Sequence, residues 1–121
     1  MNLESYKERL QILLEQEVIS QKSYDVSLQA FEQLMEAIDK TDIEQAEMLF
    51  THLPMALERR KKGEEFPSPS LEIKREVKGS IHYDFAVEQV RMVEELLDDS
   101  LPEGEKQFLY MHFTNVLNIN L

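Results

Sequence analysis

The stretch Ser20-Gln21-Lys22-Ser23-Tyr24-Asp25-Val26-Ser27-Leu28-Gln29-Ala30-Phe31-Glu32-Gln33-Leu34-Met35-Glu36-Ala37-Ile38 decides the fold class. Tyr24, Leu28, Phe31, Met35 and Ile38 recur at steps of four and three, the period of one helix face. Ser20 stands just ahead of the run, where a hydroxyl can cap the first free amides of a helix. Upstream, Leu3, Tyr6, Leu10, Leu13, Leu14 and Glu17 step in the same way and predict a preceding amphipathic helix. The link Gln16–Ser20 is short, so the two helices are expected to be antiparallel neighbours.

Downstream, Thr41-Asp42-Ile43-Glu44 has the pattern of a capping box, with Ile43, Ala46, Leu49, Phe50, Leu53 and Leu57 marking a third helix. Pro54 falls inside it. It removes the backbone bond to the carbonyl of Phe50 and disfavours α geometry at Leu53, so a kink or restart is expected there. That kink is either tolerated without a role or opens the backbone beside His52. Arg59-Arg60-Lys61-Lys62 before Gly63 reads as a helix C-terminus that complements the macrodipole, with Gly63 as its cap.

Glu64–Ser70, with Pro67 and Pro69, reads as a loop, and Ser68 or Ser70 as the cap of a short helix, Leu71–Val77. Gly79-Ser80 breaks that helix. Tyr83, Ala86, Val87, Val90, Val93, Leu96 and Leu97 mark the next, ending near Asp98-Asp99-Ser100. Ser100-Leu101-Pro102-Glu103 opens the last helix, with Pro102 in its first turn and Phe108, Leu109, His112, Val116 and Leu117 on or near its inner face. No strand pattern competes and no internal repeat is evident. The expectation is an all-α fold, a compact bundle of about five helices, filling residues 1–121 as one domain.

Composition narrows function. The formal net charge is −11, and nucleic-acid affinity rests largely on Lys and Arg neutralising phosphates, so direct DNA or RNA binding is not expected. No apolar run approaches the ~20 residues of a membrane span. The polar, acidic start Met1-Asn2-Leu3-Glu4-Ser5 is unlike a secretory signal, and with no cysteine the chain fits a cytoplasmic protein. With only three glycines, there is no glycine-rich phosphate loop, and there is no nucleophile elbow. Adjacent carboxylates at Glu64-Glu65, Glu94-Glu95 and Asp98-Asp99 point apart on a helix and read as solvated surface. An enzyme is not expected, nor a cofactor.

Histidine is the remaining carrier of chemistry. His52 and His112 each sit in an amphipathic helix; His82 is expected to face solvent. None forms an i,i+4 pair or an HExxH arrangement, so no metal site is expected. Position alone also fits half-buried helix histidines bonded to a carbonyl or water. Arg59, however, follows His52 by seven residues, two turns along on the same face. Such a pair calls for an anion between them, which a phosphoryl group would supply. Glu105 precedes His112 by the same interval.

The phrases around the histidines go further. His52-Leu53-Pro54-Met55-Ala56-Leu57-Glu58-Arg59 is followed by Lys62-Gly63, then by Glu72-Ile73-Lys74-Arg75-Glu76, then by Leu101-Pro102-Glu103, Glu105, Phe108-Leu109 and His112-Phe113. From about Met48 to Leu117 this resembles the PRD, the phosphotransferase-system regulation domain of bacterial antiterminators and transcriptional activators; Met1–Glu47 matches only in helical pattern. The resemblance implies a five-helix domain, phosphorylation at His52 and His112, and Arg59 as a support for the phosphate. It implies phosphocarrier HPr or a sugar-specific enzyme II component as donor, and a homodimer whose arrangement shifts on phosphorylation. The chain departs from antiterminators in lacking an RNA-binding or helix-turn-helix output module, in having Thr51 where an acidic residue often precedes the histidine, and in carrying Val77-Lys78-Gly79-Ser80 where an aromatic-proline segment is common. It is therefore expected to be a stand-alone regulatory domain that acts through protein contacts, or an interaction module of the same fold without phosphorylation.

Overall fold

A computed structural model describes residues 1–64 and 67–121. Among them stand six helices: α1 (Leu3–Glu15), α2 (Gln21–Ile38), α3 (Glu47–Lys62), α4 (Leu71–Lys78), α5 (Tyr83–Leu97) and α6 (Glu103–Asn120). The expected number was about five. The short segment after the proline loop accounts for the difference: the Ser70 hydroxyl accepts from the Ile73 amide to start α4, and Gly79 ends it, so it stands as a helix of its own. The expected Glu64–Ser70 loop and Glu64-Glu65 pair fall partly on Glu65 and Phe66, outside the described residues; Glu64 and residues 67–70 are neither helix nor strand.

Two helices organise the packing. α2 lies against α1, α3 and α5, and α6 against α3, α4 and α5. This explains why the buried face of α2 is wider than its 4-3-4-3 stripe. Val26, Ala30 and Leu34 are buried with Tyr24, Phe31 and Ile38, whereas Leu28 and Met35 are only half-buried. The centre is aromatic: Phe50 of α3 has ring centroids 4.8 Å from Phe31, 5.1 Å from Tyr6 and 6.3 Å from Phe113. Edge-on geometry at all three contacts matches the preference of aromatic quadrupoles.

Local signals hold at several ends. Ser20 accepts from the Ser23 amide at the start of α2, and Gly63 ends α3 at φ 72°, a left-handed conformation that costs glycine little. The Thr41–Glu44 capping box does not form. α3 begins at Glu47, with Ala46 in the cap position and no side-chain cap. Distant groups claim the segment instead. The Ile43 amide donates to the Met1 carbonyl at 2.9 Å, and the Asn120 side chain accepts from the Glu44 amide at 2.8 Å and donates to its carbonyl at 2.9 Å. These tertiary bonds satisfy the backbone while Ile43 is fully buried, which a local box would not achieve.

α3 runs through Pro54 without a restart. The Phe50 carbonyl that proline leaves without its helical donor accepts from the buried Tyr6 hydroxyl at 2.8 Å. The gap is thus closed on the core side and does not open the backbone beside His52. Burial also pushes the Tyr6 hydroxyl pKa up, keeping it a donor. Two smaller expectations change. Pro102 occupies the cap position of α6, ahead of its first turn, and His82, at the cap of α5, is half-buried because the turn folds it against the bundle. Among the described residues, no helix is long and apolar enough to cross a membrane.

Candidate functional site

Seven residues are close to two full turns of helix, so each i,i+7 pair lies on one face about 10 Å apart. His52 and Arg59 form such a pair on α3; Glu105 and His112 form one on α6. Phe50 and Leu53 anchor α3 in the core, which turns His52 toward the side that meets α6. Leu109 and Phe113 anchor α6 likewise and leave Glu105 and His112 facing α3.

The two faces interlock. Glu105 Oε2 lies 3.2 Å from His52 Nε2, and Glu105 Oε1 accepts from Arg59 Nε at 2.9 Å. A carboxylate offers only acceptors, so His52 Nε2 carries the proton. The His52 and His112 rings lie 5.0 Å apart, tilted by 43°, and Phe108 packs 6.3 Å from His52. Glu105 is 1% exposed, against 25% for Arg59 and 16% for His52. A buried carboxylate is tolerable only when its oxygens are occupied, and here two side chains of one helix occupy both.

His52, His112 and Arg59, the residues singled out in sequence, are thus together. The structure adds Glu105. The anion that the His52–Arg59 pairing calls for is supplied by the protein itself. The signal lay in the sequence, as the interval of seven before His112, but the spacing within one helix does not say which residue of another helix it meets.

Charge states follow from the surroundings. Burial by itself would raise the Glu105 carboxyl; the hydrogen bonds from His52 and Arg59, with the Arg59 charge, outweigh it and hold the pKa below the usual carboxylate range. His112 is pushed down to about 4, first by burial and then by His52, with Glu105 acting in the opposite direction. At neutral pH Glu105 is therefore ionised and His112 neutral, with a nitrogen lone pair available to an electrophile. For a histidine whose pKa falls on folding, the stabilisation is present above the unfolded value of 6.5 and is lost as pH falls through the folded value near 4. The His112 ring signals in a pH series of NMR spectra should have their midpoint near 4; a midpoint near 6.5 would contradict this environment.

Outside the cluster, a shallow depression of about 460 Å³ is lined by Met48, Thr51, His52, Met55, Arg59 and His112, among others. A second, of about 610 Å³, adjoins it along Met48 and His112 and runs toward Met111 and Ile119. His112 borders both. Met48 is 73% exposed beside them, a flexible apolar side chain on an otherwise acidic protein. Thr51 lines the first depression without a hydrogen bond to His52, so the imidazole is oriented by Glu105 across the helix interface. Among the described residues, no group of three or more His, Cys, Asp or Glu is placed to hold a metal ion.

The family model described as "PRD domain" matches residues 30–116. The match begins within α2, well ahead of the Met48 edge suggested by the histidine phrases, and takes in His52, Arg59, Glu105 and His112. No curated protein and no solved structure matches the chain. A match over this share of the chain, with both histidines inside it, places the protein: it belongs to the PRD domain family.

Proposed function

We propose that this chain is a regulatory domain of the sugar phosphotransferase type, switched by phosphorylation of His52, His112 or both. The observation that carries the proposal is the convergence of two histidines from distant helices to 5.0 Å, bordering one depression together with Arg59. An imidazole nitrogen is the nucleophile, and a guanidinium at the rim is the planar, permanently charged group best suited to a phosphoryl oxygen. The donor is a phosphohistidine protein, HPr or a sugar-specific enzyme II component. The output is a change in protein–protein contact, in a homodimer or with a separate target, in the cytoplasm. With a net charge of −11, direct nucleic-acid binding has no electrostatic support. The domain does this without an enzymatic activity of its own.

The test is incubation with phosphoenolpyruvate and the general phosphotransferase proteins. Acid-labile phosphate should enter the wild type and be absent from the His52→Ala, His112→Ala double variant. No label in the wild type, beside a PRD protein that labels in parallel, would overturn the proposal.

One observation favours a second reading. Glu105 already accepts from Arg59 Nε and meets His52 Nε2, so the pairing has an anion without phosphate. On that reading the chain is an interaction module of the same fold, and alanine at either histidine leaves partner binding unchanged.

A further inference from the structure

We infer that Glu105 is an internal counter-anion that a phosphoryl group on the histidine pair displaces, so that phosphorylation unlatches the first turn of α6 from α3. The inference rests on the proposed phosphorylation and adds the physical step by which that event would be felt by the fold.

Glu105 is the link in question. It is the one member of the cluster in the first turn of α6, and both of its oxygens are held by α3, through His52 Nε2 at 3.2 Å and Arg59 Nε at 2.9 Å. Among the described residues, no other ion pair ties that turn to α3: Glu103 is exposed, and Lys106 faces Glu94 of α5 and Glu103. The α6 cap position is occupied by Pro102, with no side-chain cap. The start of α6 therefore leans on Glu105 more than a capped helix would.

Phosphorylation acts on this link directly. The imidazole lone pair forms a new N–P bond as the donor's N–P bond breaks, and the donor nitrogen leaves with that electron pair. The acceptor ring keeps its N–H on the other nitrogen. The product is a phosphoryl group of charge near −2 beside a carboxylate that is 1% exposed. On His52 the Nε2 proton must first pass to Nδ1 so that Nε2 holds the lone pair; the N–P bond formed there then removes the hydrogen bond to Glu105 outright. On His112, whose ring is 5.0 Å from that of His52, it borders the same depression as Arg59 and competes for the guanidinium. In either position two anions contend for one arginine in a poorly solvated place, and the less charged one yields.

The test uses the intact chain and potassium phosphoramidate, which phosphorylates histidine chemically and needs no donor protein. Amide hydrogen exchange is followed in α6, where the Lys106 amide bonds the Pro102 carbonyl at 3.0 Å. In phosphorylated wild type, exchange at residues 106–109 should rise about tenfold, the scale of losing one hydrogen bond to a charged group, while the aromatic centre stays protected. In Glu105→Gln, which keeps the side chain's size but lacks the charge, exchange should be raised before treatment and change less than about twofold on phosphorylation. Should that variant fail to fold, the wild-type comparison decides alone. Unchanged exchange at 106–109 in protein labelled on His52 or His112 would overturn the inference. So would failure of phosphoramidate to label either histidine. Chemical labelling with loosening, but no label from phosphotransferase proteins, would leave the latch standing and count against the proposed function only.

Discussion

Phe50→Ala is expected to lower folding stability by about 4 kcal/mol. The ring is 1% exposed and touches aromatic rings from α1, α2 and α6. Removing it deletes buried surface and leaves a space bounded by Tyr6, Phe31 and Phe113, which are themselves fixed by three different helices. Collapse into such a space is hindered, which puts the cost in the upper part of the range for large-to-small core changes. Urea unfolding of the two proteins measures it directly. A loss below about 1.5 kcal/mol would mean that the three rings close over the gap and that Phe50 is not the junction described here.

Arg59→Ala is expected to cost about 3 kcal/mol, although the residue is a quarter exposed and on the surface side of α3. The cost comes from what it leaves behind. Glu105 is 1% exposed, and without Arg59 one of its oxygens loses both its hydrogen bond and its neutralising charge. His52 still holds the other oxygen, which keeps the expected loss toward the lower end for a broken buried pair. The double variant Arg59→Ala, Glu105→Gln should recover about 1 kcal/mol or more over the single one, because no buried charge is then left unmatched. A single-variant cost under about 0.5 kcal/mol would place this ion pair with ordinary surface pairs. The same variant should raise the Glu105 pKa, since Arg59 provides both a hydrogen bond and a charge that lower it.

Much of this molecule was legible from spacing alone, and the exceptions share a cause. The α2 stripe and the Gly63 ending of α3 depend on residues a few positions apart, and those were readable. The start of α3 was not. Thr41–Glu44 has the letters of a capping box, but Met1 and Asn120, at the two ends of the chain, take the backbone groups that the box would have used. The carbonyl freed by Pro54 is a similar case: the sequence shows that Phe50 loses a donor, while the replacement, Tyr6, comes from another helix. At the site, His52 with Arg59 and Glu105 with His112 were each visible as two-turn pairs. What spacing could not supply was their register against one another. That register makes Glu105 the shared partner of His52 and Arg59.

On the proposed function, the clustering also bears on which histidine would react. His52 is oriented by a carboxylate, whereas burial holds His112 neutral on the edge of two depressions. On that proposal the neutral His112 imidazole at the edge of the depression would be the attacking group, and the Arg59 guanidinium lining the same depression the partner of the incoming charge.

On the proposed function, this cluster receives a phosphoryl group. The most direct measurement is fragment mass mapping of phosphohistidine after incubation with phosphoenolpyruvate and the phosphotransferase proteins, at neutral pH and without acid. Phosphate is expected on the peptide containing His112, the one containing His52, or both, and none on the peptide containing His82. Phosphate on neither of the first two, while a PRD control labels in the same mixture, would contradict it.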